Sequence, residues 1–263
     1  MGEVMSVKLS VSDDGLFRAI FGHESSTHFL TGLVNAVLRN AGDPPVRALE
    51  IKNPFQLKDL ANQKEPVLDI KAQDDRGHWF DVEIQVVMHE NFRERILYYW
   101  SRTYSQELQQ GTDYYDLRPV FGIIFTKFPI WPKQPEILYD AFQIGSKYDL
   151  ARVYSDHLKL HFITIPGQTD GLEHCLHDTE LRQWLKILNY PNLTSEEEMT
   201  TLATENPLIG EAYERTKTLM ADSQVQYYME ARLKHALDEA TRRREIELKL
   251  RDTYNQGVTR GLA

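Results

Sequence analysis

Asp69, Glu83 and Gln85, with Lys71 close by, are the residues whose types and spacing could hold a hard cation and act on a phosphate. Val67-Leu68-Asp69-Ile70-Lys71-Ala72-Gln73 alternates apolar and polar residues, and so does Phe80-Asp81-Val82-Glu83-Ile84-Gln85-Val86. Between them Asp75-Arg76-Gly77 fits a three-residue hairpin loop, with Gly77 in the left-handed conformation that glycine adopts freely. That loop pairs Asp74 with His78 and, counting back, sets Lys71 opposite Asp81, Ile70 opposite Val82 and Asp69 opposite Glu83. One face of the hairpin is then apolar and the other polar, whereas a two-residue loop would oppose Asp69 to Val82 and lose the agreement. Directly opposed Cβ atoms lie about 4.5–5.5 Å apart, so the two carboxylates can share Mg²⁺ or Mn²⁺ through oxygen. Such an ion polarises a phosphate and acidifies its bound water, which Gln85, on the same face, can orient. The same residues also fit a plainer description, the wet face of an antiparallel hairpin. Spacing alone favours the plainer one, because any half-buried strand alternates in this way.

The elements that must position this hairpin are legible around it. Leu16, Phe17, Ile20 and Phe21 recur at helical spacing, as do Leu30, Leu33, Val34, Val37 and Leu38 up to Gly42 and Pro44-Pro45, which predicts two amino-terminal helices. Val46 to Phe55 reads as a strand and residues 56–66 as a loop. Phe92, Ile96, Leu97, Tyr99, Trp100, Tyr104 and Leu108 predict a long helix ending near Gly111; Pro119 to Phe125 predicts a buried strand and Leu158 to Ile165 another. Helix, strand, hairpin, helix and strand in this order predict an α/β (α+β) body, a mixed sheet flanked by helices. Beyond about Pro191 the chain becomes helical in character, with the acidic run Glu196–Glu198 and the basic run Arg242–Arg244, and Gly257 and Gly261 suggest a frayed end. The expected division is 13–190 for the body and 191–263 for the helical region.

Composition narrows the classes. Of 263 residues, 41% are hydrophobic and 26% charged, ordinary for a globular chain, and no apolar stretch approaches a bilayer span. With Cys175 the lone cysteine, an internal disulfide and a thiolate zinc cluster are excluded; a cytoplasmic location without membrane association is the expectation. The 39 acidic against 30 basic residues argue against a protein that coats nucleic acid by bulk charge, but not against an enzyme that meets phosphates through a local patch and a bound cation. His23-Glu24 and His28 lack the HExxH spacing of a zinc hydrolase, and Cys175 between His174 and His177 is better read as a plain packed or surface thiol.

In Asp14 to Gly22, Leu68-Asp69-Ile70-Lys71, Gly77 through Val82-Glu83-Ile84-Gln85, Arg95 through Tyr98-Tyr99 to Gly111, Leu117-Arg118-Pro119-Val120 and Phe162-Ile163-Thr164-Ile165, the chain resembles the Rpn group of PD-(D/E)xK nucleases. The resemblance runs in order over about residues 13–190. It implies a restriction-endonuclease-like αβββαβ core and Mg²⁺-dependent cleavage of DNA by a transposase-like, recombination-promoting enzyme. Carried over, Asp69 and Glu83 bind metal, Glu24 from the first helical region is a further candidate ligand, and Gln85 stands where a lysine is usual, with Lys71 as a possible substitute. Glu24 before Ser25-Ser26-Thr27 also fits a helix start, and Lys71 opposite Asp81 also fits a structural pair. Arg93, Arg95 and Arg102 on the helix after the hairpin are candidates for the DNA backbone, although solvated helix charges explain them as well. A homodimer through the carboxy-terminal helices would suit two-strand cleavage. The alternatives are a catalytically decayed DNA-binding or assembly module of the same fold, and cleavage of RNA.

Overall fold

A computed structural model describes residues 10–55, 69–108, 113–167, 172–192 and 194–261, which fall into two compact units, one up to residue 220 and one from residue 221. The first unit opens with α1 (Asp14–Phe21), which buries Leu16, Phe17, Ile20 and Phe21, and α2 (Thr27–Ala41), which buries Leu30, Leu33, Val34 and Val37. α2 stops where Gly42 turns left-handed at φ 77° and donates its N–H to the last carbonyls of the helix.

A six-stranded sheet follows in the order β1-β2-β3-β4-β6-β5, with β1 at Leu49–Ile51, β2 at Ile70–Asp74, β3 at Trp79–Gln85, β4 at Val120–Thr126, β5 at Tyr139–Ser146 and β6 at Asp149–Thr164. β2 and β3 form the expected hairpin, with Lys71 paired to Asp81 and Ile70 to Val82. Asp74 N–H donates to the His78 carbonyl at 3.1 Å, and Gly77 has φ 84°. The Asp74 carboxylate secures the loop by accepting from the N–H groups of Arg76 and His78 at 2.9 and 2.8 Å. Gly77→Ala is therefore expected to destabilise the protein by about 1 kcal/mol, the cost of a left-handed alanine, read as a lower urea midpoint. An unchanged midpoint would mean that this glycine does not hold the register.

β4 runs parallel to β3 and to β6, and is buried along its whole length, as its continuous apolar run requires. Phe80, Val82 and Ile84 of β3 are buried on one side of the sheet, and on β4 Phe125 meets Phe17 of α1 at 6.1 Å between ring centroids. On the other side Phe92 and Ile96 of α3 (Phe92–Gln106) pack with Ile124, Leu160 and Phe162. α3 thus covers the sheet face that carries the polar side chains of β3. This mixed sheet with flanking helices is the α/β, restriction-endonuclease-like arrangement expected from the sequence.

Three strands differ from expectation. β1 spans only Leu49–Ile51, because the chain before it is tied to α2, where Asn35 Oδ1 accepts from Val46 N–H at 2.8 Å, and Pro54 lies just beyond it. Asn53 takes over from the strand: its Nδ2 donates to the Asp69 carbonyl at 3.0 Å and its Oδ1 accepts from Lys71 N–H at 2.7 Å. β6 is much longer than Leu158–Ile165, and β5 has no counterpart in the sequence reading. β4 pairs with β6 only from Leu158 to Thr164, so the outer part of the β5–β6 ribbon pairs with itself and exposes Tyr148, Val153 and Tyr154. The loop at 56–66, Val67, Leu68 and Gly111 lie outside the described residues.

The first unit continues with α4 (Thr179–Leu188), capped by Asp178 and holding Trp184 fully buried, then α5 (Glu196–Glu205), capped by Ser195, and α6 (Pro207–Ala221). The second unit is α7 (Ser223–Gly261), which runs through Gly257 to Gly261.

Candidate active site

A cleft of about 400 Å³ opens between the polar row of β3 and the inner face of α3. Asp69, Lys71, Asp81, Glu83 and Gln85 line it from the sheet and Arg95, Tyr99 and Arg102 from the helix, with Gly122, Ile124 and Leu160 also in the lining. In parallel register Asp81 lies beside Gly122 and Glu83 beside Ile124, so small and apolar side chains flank the carboxyl groups. Asp69 stands one residue before β2; continuing the register by that residue sets it across from Glu83.

The carboxyl groups are crowded and poorly hydrated. Burial, opposed by Arg95 and a hydrogen bond from Gln85 and assisted by Asp69, raises the Glu83 carboxyl from its ordinary 4.5 to about 7. Burial, then the charges of Asp69 and Glu83, hold Asp81 well above the usual carboxylate range, against the pull of Lys71. Asp81 Oδ1 is buried with no hydrogen-bond partner. Lys71 Nζ lies 3.8 Å from Asp69 Oδ2 and donates to Thr103 Oγ1 at 3.2 Å. Gln85 Nε2 donates to Glu83 Oε2 at 2.9 Å, and Arg95 Nη2 donates to Gln85 Oε1.

The structure therefore brings Asp69, Lys71, Glu83, Gln85, Arg95 and Arg102 to one cleft. It does not bring in Glu24, which is exposed on the turn before α2 with its carbonyl accepting from Thr27 Oγ1 at 2.7 Å. Nor does Arg93 line the cleft: its Nη2 donates to the Ile130 carbonyl at 3.0 Å and its guanidinium sits 4.6 Å from the centre of the Trp131 ring. Asp81 is the residue that sequence reasoning passed over. Its place on the polar face two residues before Glu83 was the available signal, outweighed by its pairing with Lys71.

Among the described residues no three His, Cys, Asp or Glu side chains already stand together as a metal site. The donor chemistry nevertheless suits a hard divalent cation: all three acidic groups offer oxygen, they repel one another in a buried setting, and one carboxyl oxygen has no partner. An ion between them would neutralise charge that Lys71 and Arg95 offset in part.

A mixed sheet that gathers acidic residues from a hairpin beneath a covering helix defines a nuclease-like α/β domain. The chain belongs to the PD-(D/E)XK nuclease family transposases, whose family model matches residues 12–245. No curated protein and no solved structure matches it.

Proposed function

We propose that this cleft hydrolyses DNA phosphodiester bonds as a divalent-metal-dependent endonuclease, in the DNA rearrangements that transposase-like and recombination-promoting enzymes carry out. The observation that carries this reading is the convergence of Asp69, Asp81 and Glu83 with Lys71 and Gln85 on one wall of the cleft. Asp69 and Glu83, with Asp81 beside them, would hold Mg²⁺ or Mn²⁺, which supplies Lewis-acid activation of the phosphate and of a water nucleophile.

The chain's own groups do the rest. Gln85 orients Glu83 through its amide, and Lys71, braced on Thr103, keeps an ammonium beside Asp69 where negative charge builds on the phosphate. Arg102, exposed on the helical wall, is placed to meet a neighbouring backbone phosphate. Glu24 and Arg93 have no part in this arrangement. On α7, Ile246, Leu250 and Tyr254 recur at helical spacing and are exposed, which supports self-association through that helix.

The test is nicking of supercoiled plasmid by purified protein in Mg²⁺, Mn²⁺ or EDTA, comparing wild type with Asp69→Ala. Cleavage that needs the ion and disappears in the variant is expected; cleavage unchanged by Asp69→Ala would refute the assignment. The alternative, a decayed DNA-binding or assembly module, draws on Gln85 at the motif's lysine position and expects no cleavage with either metal. RNA in place of DNA separates the two nucleic acids as substrates, since the phosphodiester chemistry is shared.

A further inference from the structure

We infer that Arg95 is a positioning residue of this cleft: it locks the Gln85 amide with its donor side toward Glu83 and brings a fixed positive charge to the place where the family motif has lysine. The inference rests on the phosphodiesterase reading above and explains how a cleft with Gln85 in that position can work.

The chain of hydrogen bonds has one consistent direction. A guanidinium only donates, so the Gln85 atom that meets Arg95 Nη2 must be the amide oxygen. The NH₂ group is thereby turned to Glu83, where Nε2 donates to Oε2 at 2.9 Å. An amide held at one end in this way offers the cleft N–H groups, as a lysine ammonium would. With the amide reversed, its oxygen would oppose the Glu83 carboxylate and repel an incoming phosphate.

The position of Arg95 is itself well determined. Ile96, the next residue, is buried against Ile124 and Leu160, which fixes this turn of α3 over the sheet. Arg95 N–H donates to the Asn91 carbonyl at 3.0 Å, and Nε is buried without a hydrogen-bond partner, so the guanidinium is embedded in the cleft wall. The other two α3 arginines considered for DNA contact are placed differently. Arg93 is bonded to the Ile130 carbonyl and stacked on Trp131, and Arg102 is exposed. An arginine in a hydrogen-bonded, low-dielectric wall acts on charge more strongly than one at a solvated rim.

Steady-state cleavage of a duplex oligonucleotide in Mg²⁺ tests this, alongside affinity for the same duplex by fluorescence anisotropy in EDTA. The proteins compared are wild type, Arg95→Met, Arg95→Lys and the double variant Arg95→Met/Gln85→Lys. Loss of one preorganised donor costs about a hundredfold or more in kcat, so Arg95→Met is expected to lose that much while KM and EDTA affinity stay within about threefold. Arg95→Lys should recover part of the loss. The double variant, which puts the ammonium directly on β3, should recover more. Unchanged kcat in Arg95→Met, a loss confined to KM and DNA affinity, or a double variant no better than Arg95→Met would overturn the inference. A wild type that cleaves nothing would remove the phosphodiesterase reading and this inference with it, whereas active wild type with equally active Arg95→Met would remove the inference alone.

Discussion

Glu83→Gln is expected to reduce metal-dependent cleavage by at least about a thousandfold while making the metal-free protein more stable. The loss follows because the substitution keeps the shape and the bond to Gln85 but removes a negatively charged oxygen donor; metal activation of a phosphate contributes several kcal/mol, and each 1.4 kcal/mol is about tenfold in rate. The gain follows from burial: at pH 8 the wild-type carboxyl is ionised in a site that favours its neutral form, and a neutral amide avoids that cost. A stability increase of about 1–2 kcal/mol by urea unfolding in EDTA is expected, the pattern of sites that give up stability for function. Residual cleavage within tenfold of wild type would show that Glu83 does not serve the reaction.

The second large effect is a pH dependence isolated by the comparison of these two proteins. A carboxyl whose folded value is about 7, against an ordinary 4.5, retains a proton in the native state that the unfolded chain has lost. Its stabilising contribution is therefore complete below about pH 4.5 and is lost as pH rises through 7, a change of about 3 kcal/mol. His161 acts in the opposite sense. Burial lowers its imidazole from 6.5 to about 4, so its contribution is present above pH 6.5 and disappears as pH falls through 4. Over the shared range His161 opposes Glu83, while Asp81, also held above the usual carboxylate range, adds to the Glu83 slope. Subtracting the stability of Glu83→Gln should expose the Glu83 component, with wild type losing about 2–3 kcal/mol relative to the variant between pH 5 and pH 8 in EDTA. Mn²⁺ at pH 8 should return stability to wild type more than to the variant, because the ion binds the ionised, folded cluster. A flat difference across this range would mean that Glu83 titrates as an ordinary glutamate.

The sequence made the centre of the molecule legible because one residue settles its register. With Gly77 fixed as the left-handed loop position, the pairings of Lys71 with Asp81 and of Ile70 with Val82 follow by counting, and so does the shared face of Glu83 and Gln85. α1, α2 and β4 were legible for a related reason, since each has one dominant apolar period that tertiary packing reinforces. β5 and the outer part of β6, before Leu158, were not, because much of that ribbon is exposed and pairing alone gives no alternation of burial. Arg95 could be named as a cation on a helix, but its bond to Gln85 depends on the approach of α3 across the sheet, which no local spacing records. The Asp81–Lys71 pairing was read correctly, yet pairing across strands did not disclose that Asp69 and Glu83 also crowd the same carboxyl group.

β3 divides its labour by parity. Phe80, Val82 and Ile84 belong to the core, and Asp81, Glu83 and Gln85, the residues between and beyond them, belong to the cleft. Evolutionary drift at the second set leaves the folding code on the first set untouched, and neutralising a crowded carboxylate even relieves it. A lineage can thus lose catalysis without losing the fold, and a well-expressed, stable descendant is no sign that its chemistry survives.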